Sequence, residues 1–397
     1  MKQSFPEDFL WGVSVSAHQT EGNNFYNDWW YFEKKGTLPY KSGDACLHYE
    51  YFEKDFDALK SLGFNAFRFS IEWSRIEPSE GKINHKELKH YFKVIEALKK
   101  RNIVPMVVLF HFTLPLWFYR KGGFSRSSNI KHFLNFVKII SGELKGINWW
   151  ITINEPCVYV YQGFLQGVWP PFRKSLKLSL KTLLNLLKAH QEAFYIIKEN
   201  NPQSQVSFSK HMRGFYPSPR GNIVLNQLPA FLRNFFFNRF FLEVCAHNHT
   251  LDYIALNYYT CNFLKFKVKK IMGEEDMNLP LRKNSLGWYV HPASLGKILS
   301  FLKKFNLPVI ITENGTSEDE ELFYEAFLKA HLLQVLKSLK KGIPVKGYFW
   351  WSLIDNFEWD KGFNAYFGIF SVDRNSGERK SRPFCKKFSE IIKTNSL

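Results

Sequence analysis

The stretch WWITINEPCVY, Trp149 to Tyr159, begins as a buried strand and ends as something else. Trp150, Ile151, Thr152 and Ile153 all favour extended backbone. The run then turns polar at Asn154 and Glu155, and Pro156 halts strand pairing. A second apolar run, PVIITENGTS, repeats the pattern, with Glu313 at its end 158 residues after Glu155. Two core strands that finish in a carboxylate need a place where strand ends meet.

Six further stretches read as strands: FLWGVSVS, AFRFSIEW, VPMVVLFH, QVSFS, DYIALNYY and VKGYFWWSLI. Between them lie segments with apolar residues at three- and four-residue spacing, such as YFEKDFDALKSLG, HKELKHYFKVIEALKKRN and LPAFLRNFFFNRFFLEVCA. Gly63, Asn102, Asn306 and Gly342 stand where such helices should stop. Eight strands alternating with eight helices predict one α/β domain over residues 1–397, a single (β/α)8 barrel. An open doubly wound sheet would want a Gly-rich phosphate loop after its first strand, and SAHQTEG is not one.

Composition narrows the function classes. The chain has 397 residues, 45% hydrophobic, with 40 Phe, enough for a large aromatic core. Its formal charge is +18, but the lysines are spread along helical segments; the densest cluster, KFKVKK at Lys265 to Lys270, reads as a loop. Diffuse surface charge is therefore expected rather than a nucleic-acid or membrane partner. Five cysteines, Cys46, Cys157, Cys245, Cys261 and Cys385, form no CxxC pair and suggest a reducing, cytoplasmic setting. The opening MKQSFPEDFLWG lacks the apolar run of a signal peptide, and no 18-residue apolar window occurs.

Barrel enzymes place their sites at the C-terminal ends of the strands. There the first strand leads to His18, Gln19 and Glu21, the second carries Arg68, and the third ends in His111. The fourth ends in Asn154 and Glu155, the sixth carries Asn257 and Tyr259, and the seventh ends in Glu313 and Asn314. The eighth brings Trp351, followed by Glu358 and Trp359. No metal-ligand cluster stands out, HNH at His247 to His249 being the nearest, and no GxSxG occurs. No cofactor or metal is expected. Two carboxylates, many hydrogen-bonding side chains and several indoles suit a sugar, and a carboxylate pair is the equipment for glycoside hydrolysis.

These residues are similar to a known family. FPEDFLWGVSVSAHQTEG, the block from GDACLHYE to SRIEP, TINEP, LNYYT, ITENG and GYFWWSLIDNFEWDKGF occur in the order found in glycoside hydrolase family 1, the retaining β-glycosidases. The resemblance implies that Glu155 is the general acid/base and Glu313 the nucleophile. It implies that Gln19, His111, Asn154, Glu358 and Trp359 bind sugar hydroxyls, with Trp351 as the platform beneath the ring. Arg68 and Tyr259 would flank the nucleophile and Asn257 would support it. His18 and Glu21 are expected to be structural. The third-strand motif departs from the family, with Phe112 where most members have Trp, and the chain is shorter than usual members between its fifth and sixth strands. The implied partner is a small β-glycoside such as a β-glucoside, β-galactoside or β-fucoside. The alternatives are a 6-phospho-β-glycosidase and a catalytically inactive sugar-binding barrel. In members that take phosphorylated sugars the loop after the eighth strand resembles a cradle of Ser, Lys and Tyr; the corresponding positions here are Glu358, Ala365 and Phe367.

Overall fold

The computed structural model describes residues 4–318 and 320–397. Its strands, in chain order, are Leu10–Ser14 (β1), Ala66–Ser70 (β2), Val104–Phe110 (β3), Trp149–Asn154 (β4), Gln205–Pro217 (β5), Ile254–Lys267 (β6), Lys270–Glu275 (β7), Val309–Asn314 (β8), Val345–Trp351 (β9), Phe370–Val372 (β10) and Arg379–Ser381 (β11). β1 to β6, β8 and β9 form a parallel ring, with β1 between β2 and β9 and closure through β5 and β6. The (β/α)8 barrel is therefore the architecture, with β7 added antiparallel to β6 and β10–β11 as a separate small ladder.

Helices alternate with the ring strands and cover its outside. Gly63, Asn102, Asn306 and Gly342 all take positive φ, between 52° and 94°, at helix exits, the conformation that ends a helix with least cost for Gly and Asn. Each ring strand turns one face outward to the helices: Phe67, Val107, Trp150 and Trp350 belong to that large buried layer. The alternate residues point into the ring. Ala66, Met106, Val108, Ile151, Tyr253, Ala255, Ile310 and Phe349 fill it with a largely apolar plug. Gly12 is required there, because a Cβ would lie 2.3 Å from the Phe349 ring. One layer further along the strands the inward residues become polar, with Ser14, Arg68, Ser209 and Asn257 all buried.

Three expectations are corrected. β5 and β6 do not stop at the rim: they run on together, pairing Gly214 with Cys261 and Pro217 with Leu264. KFKVKK is the end of β6 and the turn into β7, not an irregular loop; Lys267 pairs with Lys270 across the turn. The long β5–β6 helix begins earlier than expected, at Ile223, and passes through a π-helical stretch, Asn234–Arg239, before Phe240–His247. All five cysteines are free and buried. Among the described residues no helix is long and apolar enough to cross a membrane.

Candidate active site

The stretch from Trp149 to Tyr159 shows how the site is made. β4 ends at Asn154, and Pro156 is the first residue of a short helix, Pro156–Val160, where its missing N–H costs nothing. Glu155 between them sits at φ 45° and ψ 60°, left-handed for a residue with a side chain. Its N–H donates to the Ser209 carbonyl at 2.9 Å, and its own carbonyl accepts from Val158 and Tyr159. The strained turn rotates the carboxyl into the barrel mouth. The β4–β5 register shifts between Ile151 and Asn154, which turns Asn154 inward as well. A matching irregularity in β8, between Ile311 and Asn314, brings Glu313 in.

The two carboxylates are held by different donors. Glu313 Oε1 accepts from Arg68 Nη1 at 2.7 Å, and Oε2 from the Tyr259 hydroxyl at 2.6 Å. Glu155 Oε1 accepts from Asn257 Nδ2 at 2.7 Å, and Oε2 lies 3.4 Å from His211 Nδ1. Asn154 links them, its Oδ1 taking bonds from Arg68 at 2.6 Å and from Asn257 at 3.2 Å. Asn257 is a strand neighbour of Glu313, yet its amide donates to Glu155 and Asn154; the direct supports of Glu313 are Arg68 and Tyr259.

Both carboxyls are buried, and burial is the largest influence on each. It pushes Glu313 up to about 7 against the pull of Arg68 and Tyr259. On Glu155 burial is outweighed by His211, Asn257 and Arg68, with a net lowering. The pull of His211 as a charge requires an imidazolium, and burial holds His211 low and therefore neutral. With His211 neutral, a shared proton belongs on Glu155, because Glu313 keeps a fixed guanidinium at 2.7 Å.

The remaining rim residues lie around the same carboxyls. His111 follows β3; its Nε2 meets Asn154 Nδ2 at 3.1 Å and its buried Nδ1 has no partner in the protein. Burial, then Arg68, lowers its pKa and keeps it neutral; with Nε2 accepting from the Asn154 amide, the ring proton lies on Nδ1, free to donate to a ligand. Gln19 Nε2 donates to Glu358 Oε2 and to Asn356 Oδ1, each at 3.0 Å. Burial raises Glu358 to about 8. Trp351 and Trp359 lie near parallel to the His111 ring, at 5.9 and 6.2 Å. Trp350 faces away, packed on Phe327 and Phe384. Phe112 packs on Trp359 and on Trp169. His18 and Glu21 lie in buried networks, with Glu33 and Asn27 and with Arg75 and Tyr91 respectively. Asn314 ties β8 to both neighbours, bonding the Tyr258 carbonyl and the Tyr348 hydroxyl.

Sequence reasoning missed Ser209, His211 and Arg213, all on β5. Ser209 accepts from Arg68 at 2.9 Å. Arg213 Nε points at His211 Nε2 at 3.4 Å, which leaves the ring proton on Nδ1, toward Glu155. Ending the fifth strand at QVSFS hid His211 and Arg213; carried two residues further, it would have placed His211 on the rim. His247 and His249 are exposed, and no group of three metal-ligating residues occurs among the described residues.

The chain is similar to known proteins along its whole length. The family model described as glycosyl hydrolase family 1 matches residues 1–248 and 243–397. A 1,4-β-D-glucan glucohydrolase of Thermotoga neapolitana is 30% identical over 441 aligned residues, covering 100% of this chain and 99% of that protein. A 6-phospho-β-galactosidase of Leptotrichia buccalis is 27% identical, covering 98% and 99%. The solved β-glycosidase from Pyrococcus horikoshii superposes with a TM-score of 0.95 at 36% identity, over 100% of this chain and 96% of that one. A β-glucosidase from Thermotoga maritima in complex with glucoimidazole gives 0.93 at 29% identity, over 100% of both chains.

Proposed function

The chain belongs to glycosyl hydrolase family 1 and is a glycoside hydrolase, and within that family we propose that it is a retaining β-glycosidase. It cleaves β-glucosides, β-galactosides or β-fucosides from the non-reducing end, using one catalytic barrel spanning residues 1–397. Five unpaired buried thiols favour a reducing compartment.

The observation that carries the reading is the unequal support of the two carboxyls. Glu313, ionised by Arg68 and Tyr259, attacks the anomeric carbon. Glu155 gives its proton to the departing glycosidic oxygen, so the leaving group exits neutral. The glycosylated Glu313 has lost its charge. Glu155 then ionises more readily, as Asn257 and His211 favour, and takes a proton from the water that releases the sugar. His111, Asn154 and the Gln19–Glu358 pair present the hydroxyl-binding groups, and Trp351 offers the ring a flat face.

Glu313→Ala tests role and stereochemistry together. Turnover of an aryl β-glucoside should fall by more than about 10⁴-fold. Added azide should restore activity and yield the α-glycosyl azide, because the small anion enters from the face that Glu313 vacated. Formation of the β-azide would overturn the assignment.

A further inference from the structure

The helix Ile223–Arg233, between β5 and β6, is built the wrong way round for a water-soluble surface. Asn226, Pro229 and Ala230 are its buried residues. Val224, Leu228 and Phe231, spaced four and three apart on one face, are 70%, 42% and 60% exposed. A surface helix normally turns that stripe to the core. Here its polar side is consumed inward: Asn226 donates to the carbonyls of Ser218 and Arg220 and accepts from the Phe266 N–H, and Arg233 bonds the carbonyls of Met272 and Gly273 and the Glu275 carboxylate. Those bonds lay the helix across the β6–β7 hairpin. The hairpin adds its own outward residues, with Val268 89% and Ile271 61% exposed, interleaved with Lys267, Lys269 and Lys270.

The place of this surface matters. β5 passes His211, beside Glu155, and continues to Pro217, about 20 Å of further strand at roughly 3.3 Å per residue. The hairpin and helix thus stand on a projection from the rim that bears the carboxylates.

We propose that this projection is a docking surface for an anionic lipid bilayer. The segments 220–239 and 264–276 carry seven Lys and Arg against three acids, all three on the hairpin. Exposed aliphatic and aromatic side chains interleaved with lysines match an interface of acyl chains beneath negative headgroups. The same charge opposes the rival occupant, a second copy, since a two-fold contact would set these lysines against their equivalents. Attachment is peripheral: among the described residues no helix can span. It directs the rim, rather than the opposite end of the barrel, toward the lipid.

The test is flotation of the full-length protein with vesicles. Wild-type protein should float with phosphatidylcholine vesicles containing about one fifth phosphatidylglycerol, and at least tenfold less with phosphatidylcholine alone. The triple substitution Val224→Ser, Leu228→Ser, Phe231→Ser should weaken binding at least about tenfold while leaving aryl glucoside turnover unchanged, since these side chains are exposed and remote from the carboxylates. A second variant, Lys267→Glu, Lys269→Glu, Lys270→Glu, should abolish the preference for the anionic vesicles. Absence of flotation of the wild type, or binding by both variants equal to that of the wild type, overturns the proposal. So does concentration-dependent dimerisation of the wild type that the serine variant abolishes, which would seat a second copy on this face.

Discussion

Glu155 is held in left-handed backbone at a cost of about 1–3 kcal/mol, strain of the kind that concentrates at functional sites. In the acid role proposed for it, its removal should matter in proportion to the leaving group. Glu155→Gln is expected to slow alkyl glucosides by about 10²–10⁴-fold but dinitrophenyl glucosides far less, since a good leaving group departs as an anion without a proton. Equal losses on the two substrates would remove Glu155 from the acid role. His211 gives a second prediction, with a sign. Its Nδ1–H favours the ionised form of Glu155, and the groups around the pair are Asn257, Arg68, Arg213 and Lys210. His211→Leu removes that donor, so the Glu155 pKa rises. The protonated acid then survives to higher pH, and the alkaline limb of kcat/KM should move up by about half to one pH unit, taking the bond as roughly 1 kcal/mol. A downward shift, or none, would show that His211 does not hold Glu155. These two residues also mark what was legible. Glu155 was readable because a carboxylate at the end of an apolar run is conspicuous. His211 was not, because its partner lies 56 residues away and only the closure of β5 beside β4 brings them together.

At the scale of elements, strand existence was readable and strand irregularity was not. Period-two alternation and β-branched runs located the eight ring strands. The register shifts in β4 and β8 that turn Asn154 and Glu313 inward leave no mark in the composition of those runs. The β6–β7 hairpin was hidden by its charge: KFKVKK was read for its lysines, although Lys265, Phe266, Lys267 and Val268 alternate as a strand does. Helix exits were read correctly because Gly and Asn at positive φ have a local cause. One motif residue gains its reason only from the closed ring. Gly315, after Glu313, has no room for a Cβ, which would lie 2.1 Å from the Trp351 carbonyl oxygen on the adjacent strand. Gly315→Ala should therefore force β8 and β9 apart beside Trp351, the proposed sugar platform. The expected cost is about 1–3 kcal/mol of stability, seen as a lowered Tm, with a fall in kcat/KM of at least tenfold. An unchanged Tm and unchanged turnover would show that the strand ends are more yielding than their packing indicates.

For the whole molecule, the net charge of +18 invites the reading of a 6-phospho-β-glycosidase, and a 6-phospho-β-galactosidase is among the relatives. The charge is a poor guide, because beyond roughly 8–10 Å it is screened in physiological salt. What a 6-phosphate would meet is local. Glu358 is buried and raised to about 8, so at neutral pH it is mostly uncharged, and simple repulsion by a carboxylate is weaker than its presence in the sequence suggests. The stronger argument is the lack of donors. Ala365 and Phe367 are buried where the resemblance puts a phosphate cradle; one has no polar side chain, and the other packs its ring on Tyr259 and Trp288. A phosphate carrying between one and two charges would leave water and find few bonds in return, a loss of several kcal/mol. A free 6-hydroxyl needs far less, and the Gln19–Glu358 pair can provide it. At pH 7, kcat/KM for nitrophenyl β-glucoside should exceed that for its 6-phosphate by at least about 100-fold, the ratio that corresponds to roughly 2.7 kcal/mol. As pH rises through about 8 and Glu358 ionises, repulsion is added and the ratio should widen. A higher value for the phosphate at pH 7 would reverse the assignment, and a ratio that narrows with pH would remove Glu358 from the sugar's 6-position.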